Sequence, residues 1–281
     1  MTTETKAALF MSAAAFFLSL VPLAVKLVPA EAGIPTSEKL VARGIVAVAV
    51  TFVLLKKRGE SLVSGKPGLL FLRSALGTTG MVLYFYALER LPLADTVTIN
   101  KLSPFFVLLF SWMFLKEKLN RIQIAAIFTA FIGVALVAGP SGISLSGAVI
   151  PALASAVFAG AAYTTLRALR KYDSPLRVVF WFSLLTVVVF LPGTIAGGVI
   201  PTGKAVLFPL LGIGLAGVSG QVLMTTAYRH APGGKVAIYG YLSVVFSVIW
   251  QIAFFREVPS VFVLAGALLV MTGGWLNYRY R

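Results

Sequence analysis

Cysteine is absent from the 281-residue chain, which also holds only one histidine and 9 acidic residues. Without cysteine, disulfide bonds and thiolate metal sites are excluded. One imidazole and so few carboxylates also argue against an enclosed metal site. A glycine-rich phosphate loop that ends in Lys-Ser or Lys-Thr is missing as well, which argues against ATP hydrolysis. We therefore expect neither a metal nor a cofactor, and no catalytic constellation suggests an enzyme.

Charge is scarce, whereas apolar residues dominate the chain. Charged residues make up 12% of it and hydrophobic residues 59%, and this charged share is about half that of a soluble domain. Too little polar surface remains to cover a soluble core, so lipid must surround most of the chain. Ten segments approach the length of about 20 apolar residues that a spanning helix needs, which predicts an all-α integral membrane protein with ten transmembrane helices. These segments are 7–28, 38–55, 68–88, 92–115, 122–139, 147–169, 177–197, 205–228, 235–255 and 260–278.

Basic residues outnumber acidic ones by 24 to 9, which gives a net charge of +15. Most of them lie in short loops between apolar segments, and those loops share one face if both termini are inside. We read this bias as membrane topology rather than as nucleic acid binding. The chain is therefore expected to be a multi-pass protein of the bacterial cytoplasmic (inner) membrane, with cytoplasmic N- and C-termini. Ten helices can enclose a cavity without a partner chain, so a monomer in the lipid bilayer is expected.

The two halves of the chain resemble each other. A shift of 140 residues aligns glycine, proline and glutamate positions over the last three segments of each half. We therefore divide the chain into five-helix repeats at residues 1–139 and 140–281. Because five is odd, the second repeat enters the membrane from the opposite face, as in secondary transporters that work by alternating access. The matched pairs include Gly77 and Gly217, Gly80 and Gly220, Pro92 and Pro232, Glu117 and Glu257, and Gly133 and Gly273.

Residues 73–137 carry a more detailed motif. An Arg opens the third segment, small residues follow within it, and the turn Ala-Leu-x-x-x-Pro-Leu-Ala leads into a fourth segment with an internal Pro. This motif resembles the drug/metabolite transporter superfamily, EamA type, and the YddG-type amino-acid exporters are the most similar subgroup in length. The resemblance implies a ten-helix, basket-like fold that exports small metabolites, often amino acids. Its residues are Arg73, Gly77, Gly80, Ala87, Pro92, Pro104, Glu117 and Gly133, with a weaker echo at 213–277, where Val244 replaces Pro104.

Lys101 is the first candidate for substrate binding, because ionisable residues deep in a membrane are costly and mark functional sites. It lies ~13 Å into the fourth helix if that helix begins near Pro92. Asn100 is its neighbour, and Pro104 cannot donate a hydrogen bond to the turn that contains Asn100. A cation, an amide and a free carbonyl form a plausible anchor for an amino acid. The alternative is that Lys101 extends to the membrane interface or pairs with Asp95.

Other polar residues lie on helix faces that can line a cavity. Tyr84 and Gln221 share faces with the repeated glycines of the third and eighth segments, and Tyr163, Tyr239 and Ser243 recur at helical spacing. Ordinary packing and interhelical hydrogen bonding are the alternatives for all of them. Arg43 and Arg73 lie only a few residues inside their helices, so we expect their side chains to extend to the interface. A role in binding is the less favoured alternative for both.

The predicted function is a secondary transporter that exports small metabolites, with amino acids as the expected class. The acidic residues nearest the interior, Asp95 and Glu89, lie close to helix ends, so we expect facilitative or weakly proton-coupled transport. One alternative is an exporter of organic cations such as methyl viologen, but the first helix lacks the buried Glu that such exporters use, and Lys101 would repel a cation. A lipid flippase is the other alternative, because five-helix inverted repeats occur there as well.

Overall fold

A computed structural model describes residues 3–115, 120–138, 147–199, 201–230 and 238–279, and within them all regular secondary structure is helical. Glu117 and Pro232 of the repeat motif lie outside these residues. The helices are α1 (Thr3–Leu27), α2 (Thr36–Lys57), α3 (Pro67–Leu88), α4 (Leu93–Asn100), α5 (Ser103–Leu115), α6 (Arg121–Ala138), α7 (Val149–Leu169), α8 (Pro175–Gly197), α9 (Lys204–His230), α10 (Leu242–Phe255) and α11 (Val261–Arg279).

These helices form ten membrane spans, with α4 and α5 as two halves of the fourth. Among the described residues, 7 helical segments are long and apolar enough to cross a membrane, and the shorter apolar helices are α6 and α11. The remaining span is α2, whose apolar stretch is interrupted by charged residues. The prediction of an all-helical, ten-span membrane protein is confirmed. The predicted ends agree with the helix ends to within a few residues wherever both are described.

Local sequence signals explain where several helices begin. α3 and α8 both have a proline in their first turn, where no backbone N–H is needed. Ser174 precedes α8, and its side-chain oxygen accepts a hydrogen bond of 3.3 Å from the backbone N–H of Arg177. This contact satisfies one of the N–H groups that the start of a helix leaves without a partner.

The packing of the spans follows the repeat. The first span, α1, packs along α9, and its repeat equivalent, α7, packs along α3 in the same way. The two second spans, α2 and α8, pack against each other, and so do the two fifth spans, α6 and α11. The two halves therefore interlock instead of lying side by side.

Two repeated glycines permit this interlocking. A Cβ atom on Gly80 would lie 3.3 Å from the backbone nitrogen of Ala159 in α7. A Cβ atom on Gly220 would lie 2.6 Å from Cγ of Leu18 in α1. Small residues allow helices to approach closely in a membrane, where apolar side chains gain little from leaving lipid. Close packing thus explains this glycine pair.

The fourth and ninth spans are interrupted at equivalent positions. α4 ends before Lys101, whose backbone N–H donates to the Thr98 carbonyl at 3.1 Å. In the ninth span, helical residues 238–240 end before Tyr241, which donates to the Ile238 carbonyl at the same 3.1 Å. Lys101 and Tyr241 are 140 residues apart and so match in the repeat. Interrupted helices at membrane depth occur where the backbone lines a cavity or is buried in protein.

Gly133→Ala tests the close contact between the two fifth spans. The added Cβ atom would lie 2.6 Å from the backbone carbonyl oxygen of Gly266, so the helices would have to separate. We expect a loss of about 1–3 kcal/mol in stability, measured as a lower melting temperature in detergent. Gly212→Ala is the control, because its Cβ atom would make an ordinary 3.5 Å contact with Ala24. Equal melting temperatures for the two variants would contradict this packing.

Candidate functional site

A cavity of about 140 Å³ lies in the middle of the bundle, between residues of both repeats. Its charged lining residues, among those described, are Arg43, Arg73 and Lys101. No acidic side chain of the described residues lines it. The cavity is therefore strongly positive, in a protein whose surroundings are mostly apolar.

Arg43 and Arg73 are almost fully buried, at 2% and 1% exposure. Their guanidinium carbons lie 5.4 Å and 4.8 Å from the centre of the Phe182 ring, so the two arginines share one aromatic partner. Nε and Nη1 of both residues are buried and have no hydrogen-bond partner in the described structure. Such donors are usually satisfied, so their availability points to a ligand.

This placement corrects the expectation that Arg43 and Arg73 extend to the membrane interface. That expectation considered only how far each residue lies from the start of its own helix. Consecutive spans run in opposite directions, so α2 and α3 begin at opposite faces of the membrane. Each arginine side chain instead points inward from its own end, and the two converge on Phe182.

A second pair of repeated glycines makes room for these arginines. Gly77, one turn after Arg73 in α3, has the guanidinium of Arg73 where a Cβ atom would be. A Cβ atom on Gly217 in α9 would lie 2.8 Å from Nε of Arg43. The repeated glycines therefore divide into two functions: Gly80 and Gly220 join helices, whereas Gly77 and Gly217 accommodate buried cations.

Lys101 lines the same cavity from the interruption between α4 and α5. Its side chain forms no ion pair with any acid in the described ranges. The alternative pairing with Asp95 is not observed among the ion pairs of the described residues. Beside it, Asn100 lines the cavity and donates from Nδ2 to Oγ of Ser155 at 2.9 Å.

The other predicted site residues are mostly in the cavity. Tyr84, Tyr163, Gln221 and Ser243 all line it. Oε1 of Gln221 is buried and receives no hydrogen bond from the described residues, so it can accept one from a ligand. Ser243 already donates from Oγ to the Gly240 carbonyl at 3.0 Å.

Tyr239 is placed differently from the other predicted residues. It is not among the lining residues of the cavity, and its ring packs edge-on against Tyr278, with ring centres 6.5 Å apart. The prediction placed Tyr239 and Ser243 on one face of a continuous helix. The interruption at Tyr241 separates them, so they do not share a face.

Most of the lining residues were not predicted as site residues, and three of these carry a charged or phenolic side chain. Arg43 and Arg73 are two of them, and Tyr228, whose ring centre lies 5.9 Å from that of Tyr163, is the third. Tyr228 stands at the end of a long apolar helix and shows no distinctive pattern in the sequence. A signal for the arginines did exist, because Gly77 and Gly217 match in the repeat.

Three of the acidic side chains that the structure describes are engaged elsewhere. Glu89 forms a 2.8 Å ion pair with Lys39, and Asp173 forms a 3.0 Å ion pair with Arg177. Glu38 accepts a hydrogen bond from the backbone N–H of Val199. None of these contacts involves a cavity residue, so the cavity has no protein counter-charge from these acids.

The sequence is similar to known transporters over most of its length. The profile of the EamA-like transporter family matches residues 5–139 and, a second time, residues 146–279. The pseudopaline exporter of Pseudomonas aeruginosa is 31% identical over 243 residues, which cover 86% of each chain. Human solute carrier family 35 member G1 is 34% identical over 242 residues, 80% of this chain and 66% of the human protein.

Two further matches cover most of the chain. The riboflavin transporter of Brucella anthropi is 28% identical over 236 residues, which cover 81% of this chain and 82% of that protein. A crystal structure matches with a TM-score of 0.74 and 19% sequence identity, and the match covers 97% of this chain and 96% of the other. At that identity the likeness shows the fold alone.

Arg43→Met and Arg73→Met test whether the buried cations destabilise the ligand-free protein. Methionine fills a similar volume without a charge, and replacing buried charges by apolar groups is often stabilising by about 1–4 kcal/mol. We expect each variant to melt at least ~2 °C above the wild type in detergent at low salt.

The matched control is Arg177→Met, which removes an arginine that has both an ion pair and a hydrogen bond to the Ser61 carbonyl. Its melting temperature is expected to fall. A comparable fall for the two cavity variants would mean that their arginines are structural.

Proposed function

Because the chain belongs to the EamA-like transporter family, we propose that it exports small carboxylate-bearing metabolites, amino acids among them, across the bacterial cytoplasmic membrane. The family and its named relatives are transporters rather than enzymes. The observation that carries the proposal is the central cavity, whose charged lining residues among those described are three cations.

The carboxylate group of a substrate fits the pair of arginines. A guanidinium presents parallel N–H donors that match the two oxygens of a carboxylate, and Nε and Nη1 of both arginines are without partners among the described groups. Lys101 adds a third positive charge at the α4–α5 interruption. An amino-acid ammonium group finds an acceptor in Oε1 of Gln221. These contacts support Asn100, Lys101, Tyr84, Tyr163, Gln221 and Ser243 as substrate-binding residues, and they add Arg43 and Arg73.

The inverted repeat supports transport by alternating access. The halves 1–139 and 140–281 interlock around the cavity, and each has one interrupted span beside it. An exchange of conformations between two related halves closes the cavity on one side and opens it on the other. One chain encloses the cavity, so a monomer suffices, and the distribution of basic residues favours cytoplasmic termini.

The same cavity argues against the alternative functions. An organic cation would meet Arg43, Arg73 and Lys101 with no acidic partner from the described residues. A lipid flippase needs headgroup-binding charges that open sideways to lipid, whereas Arg43 and Arg73 are buried at 2% and 1% exposure. The pseudopaline exporter and the riboflavin transporter are named for small metabolites, which agrees with a metabolite exporter.

Efflux from proteoliposomes tests the proposal. The vesicles are loaded with a mixture of common amino acids, organic acids and methyl viologen, and the released solutes are measured by mass spectrometry. We expect carboxylates to leave and methyl viologen to stay. Arg73→Gln should slow carboxylate efflux about tenfold or more, because hydrogen bonds between charged groups contribute about 1.5–3 kcal/mol.

The matched control is Arg90→Gln, which changes an exposed arginine outside the cavity. Its efflux rate should equal that of the wild type. Selective release of methyl viologen would favour the organic cation exporter. If folded protein released no solute, both carboxylates and methyl viologen would be excluded as substrates.

A further inference from the structure

The positive charges of the cavity exceed what an ordinary amino acid can balance. A zwitterionic amino acid brings one negative and one positive charge, so three cations would still share the cavity with no net compensation. A substrate with one net negative charge would leave two cations uncompensated. Uncompensated charge in surroundings of low polarity costs several kcal/mol per ion, so a more negative substrate binds better.

The protein cannot easily supply the missing negative charge itself. Glu89 is held by Lys39 at 2.8 Å and also accepts a 2.6 Å hydrogen bond from the Thr36 hydroxyl. Asp95 is buried in the first turn of α4, where the charged groups acting on it are Lys26 and Glu257. Glu89 is therefore already engaged with a cation outside the cavity.

The three cations come from different elements around the cavity. Arg43 of α2 and Arg73 of α3 share one aromatic partner, with guanidinium carbons 5.4 Å and 4.8 Å from the centre of the Phe182 ring. Lys101 belongs to the interruption between α4 and α5 and makes no such contact with Phe182 among the described residues. Two anionic groups at different positions on one small molecule match this arrangement better than a single group with two charges.

We infer that the preferred substrate is an organic dianion, specifically a small metabolite with two carboxylates and no compensating ammonium group. One carboxylate binds between Arg43 and Arg73, and the other binds Lys101 and Asn100. This inference rests on the proposed function and narrows its substrate class. A phosphate monoester shares the double negative charge but concentrates it on one group.

The charge of such a substrate also supplies a driving force. A membrane potential that is negative inside favours exit of an anion by about 50-fold in concentration ratio for each charge at 100 mV. No acidic side chain in the described part of the cavity offers a site for a coupled proton. Export of a dianion requires no such proton, because the potential acts on both of its charges.

Small solutes of different net charge provide the test. Proteoliposomes are loaded with glutamine, glutamate, 2-oxoglutarate and glycerol 3-phosphate, and a potassium gradient with valinomycin sets the potential. We expect 2-oxoglutarate to leave fastest, glutamate next and glutamine slowest. A potential that is negative inside should accelerate 2-oxoglutarate efflux and leave glutamine efflux unchanged.

Lys101→Gln should reduce 2-oxoglutarate efflux about tenfold more than glutamine efflux, because it removes one charged hydrogen bond. Lys57→Gln is the matched control, since Lys57 is exposed at the end of α2 and does not line the cavity. Size-exclusion chromatography verifies that both variants are folded.

The outcomes separate this inference from the function on which it rests. If glutamine left as fast as 2-oxoglutarate, at a rate independent of the membrane potential, the inferred preference for a dianion would be overturned. Carboxylate export would still stand. Faster efflux of glycerol 3-phosphate than of 2-oxoglutarate would overturn the assignment of two separate carboxylates. If the folded protein released none of the solutes, both the dianion inference and the proposed carboxylate export would be overturned.

Discussion

A charged side chain inside a membrane protein needs an opposite charge, water or access to the interface. Arg43 and Arg73 are buried away from the interface and have no opposite charge among the described residues, and this constraint organises the centre of the molecule. Phe182 offers its ring to both guanidinium groups. Gly77 and Gly217 leave the space that the two side chains occupy. The remaining requirement is a negative charge, and we propose that the substrate supplies it.

The helices and their repeat could be predicted from the sequence because lipid restricts the choice of structure. Every spanning backbone group must be hydrogen-bonded within the protein, so an apolar segment of sufficient length is a helix. Matched glycines then revealed the repeat. The convergence of Arg43 and Arg73 could not be predicted in this way, because it depends on how α2, α3 and α8 pack and not on depth along one helix.

Of the two interrupted spans, one carries a signal in the sequence and the other does not. Pro104 predicted a free backbone carbonyl at the position of the first interruption, because proline removes a backbone hydrogen bond. Val244 stands in the equivalent position of the second half, so nothing comparable marked the interruption at Tyr241. The helical spacing that joined Tyr239 to Ser243 therefore failed there. Lys101 and Asn100 were predicted for the cavity and line it, since their place beside Pro104 was visible in the sequence.

Ligand-dependent stability tests most directly whether the cavity binds anions. A ligand that binds only the folded protein stabilises it by about 2.7 kcal/mol at 100 times its dissociation constant. The melting temperature of detergent-solubilised protein should therefore rise with 2-oxoglutarate, and not with methyl viologen at equal ionic strength. The rise should vanish when Arg43 and Arg73 are both changed to methionine. A rise with methyl viologen alone, or an undiminished rise with 2-oxoglutarate in the double variant, would contradict the account.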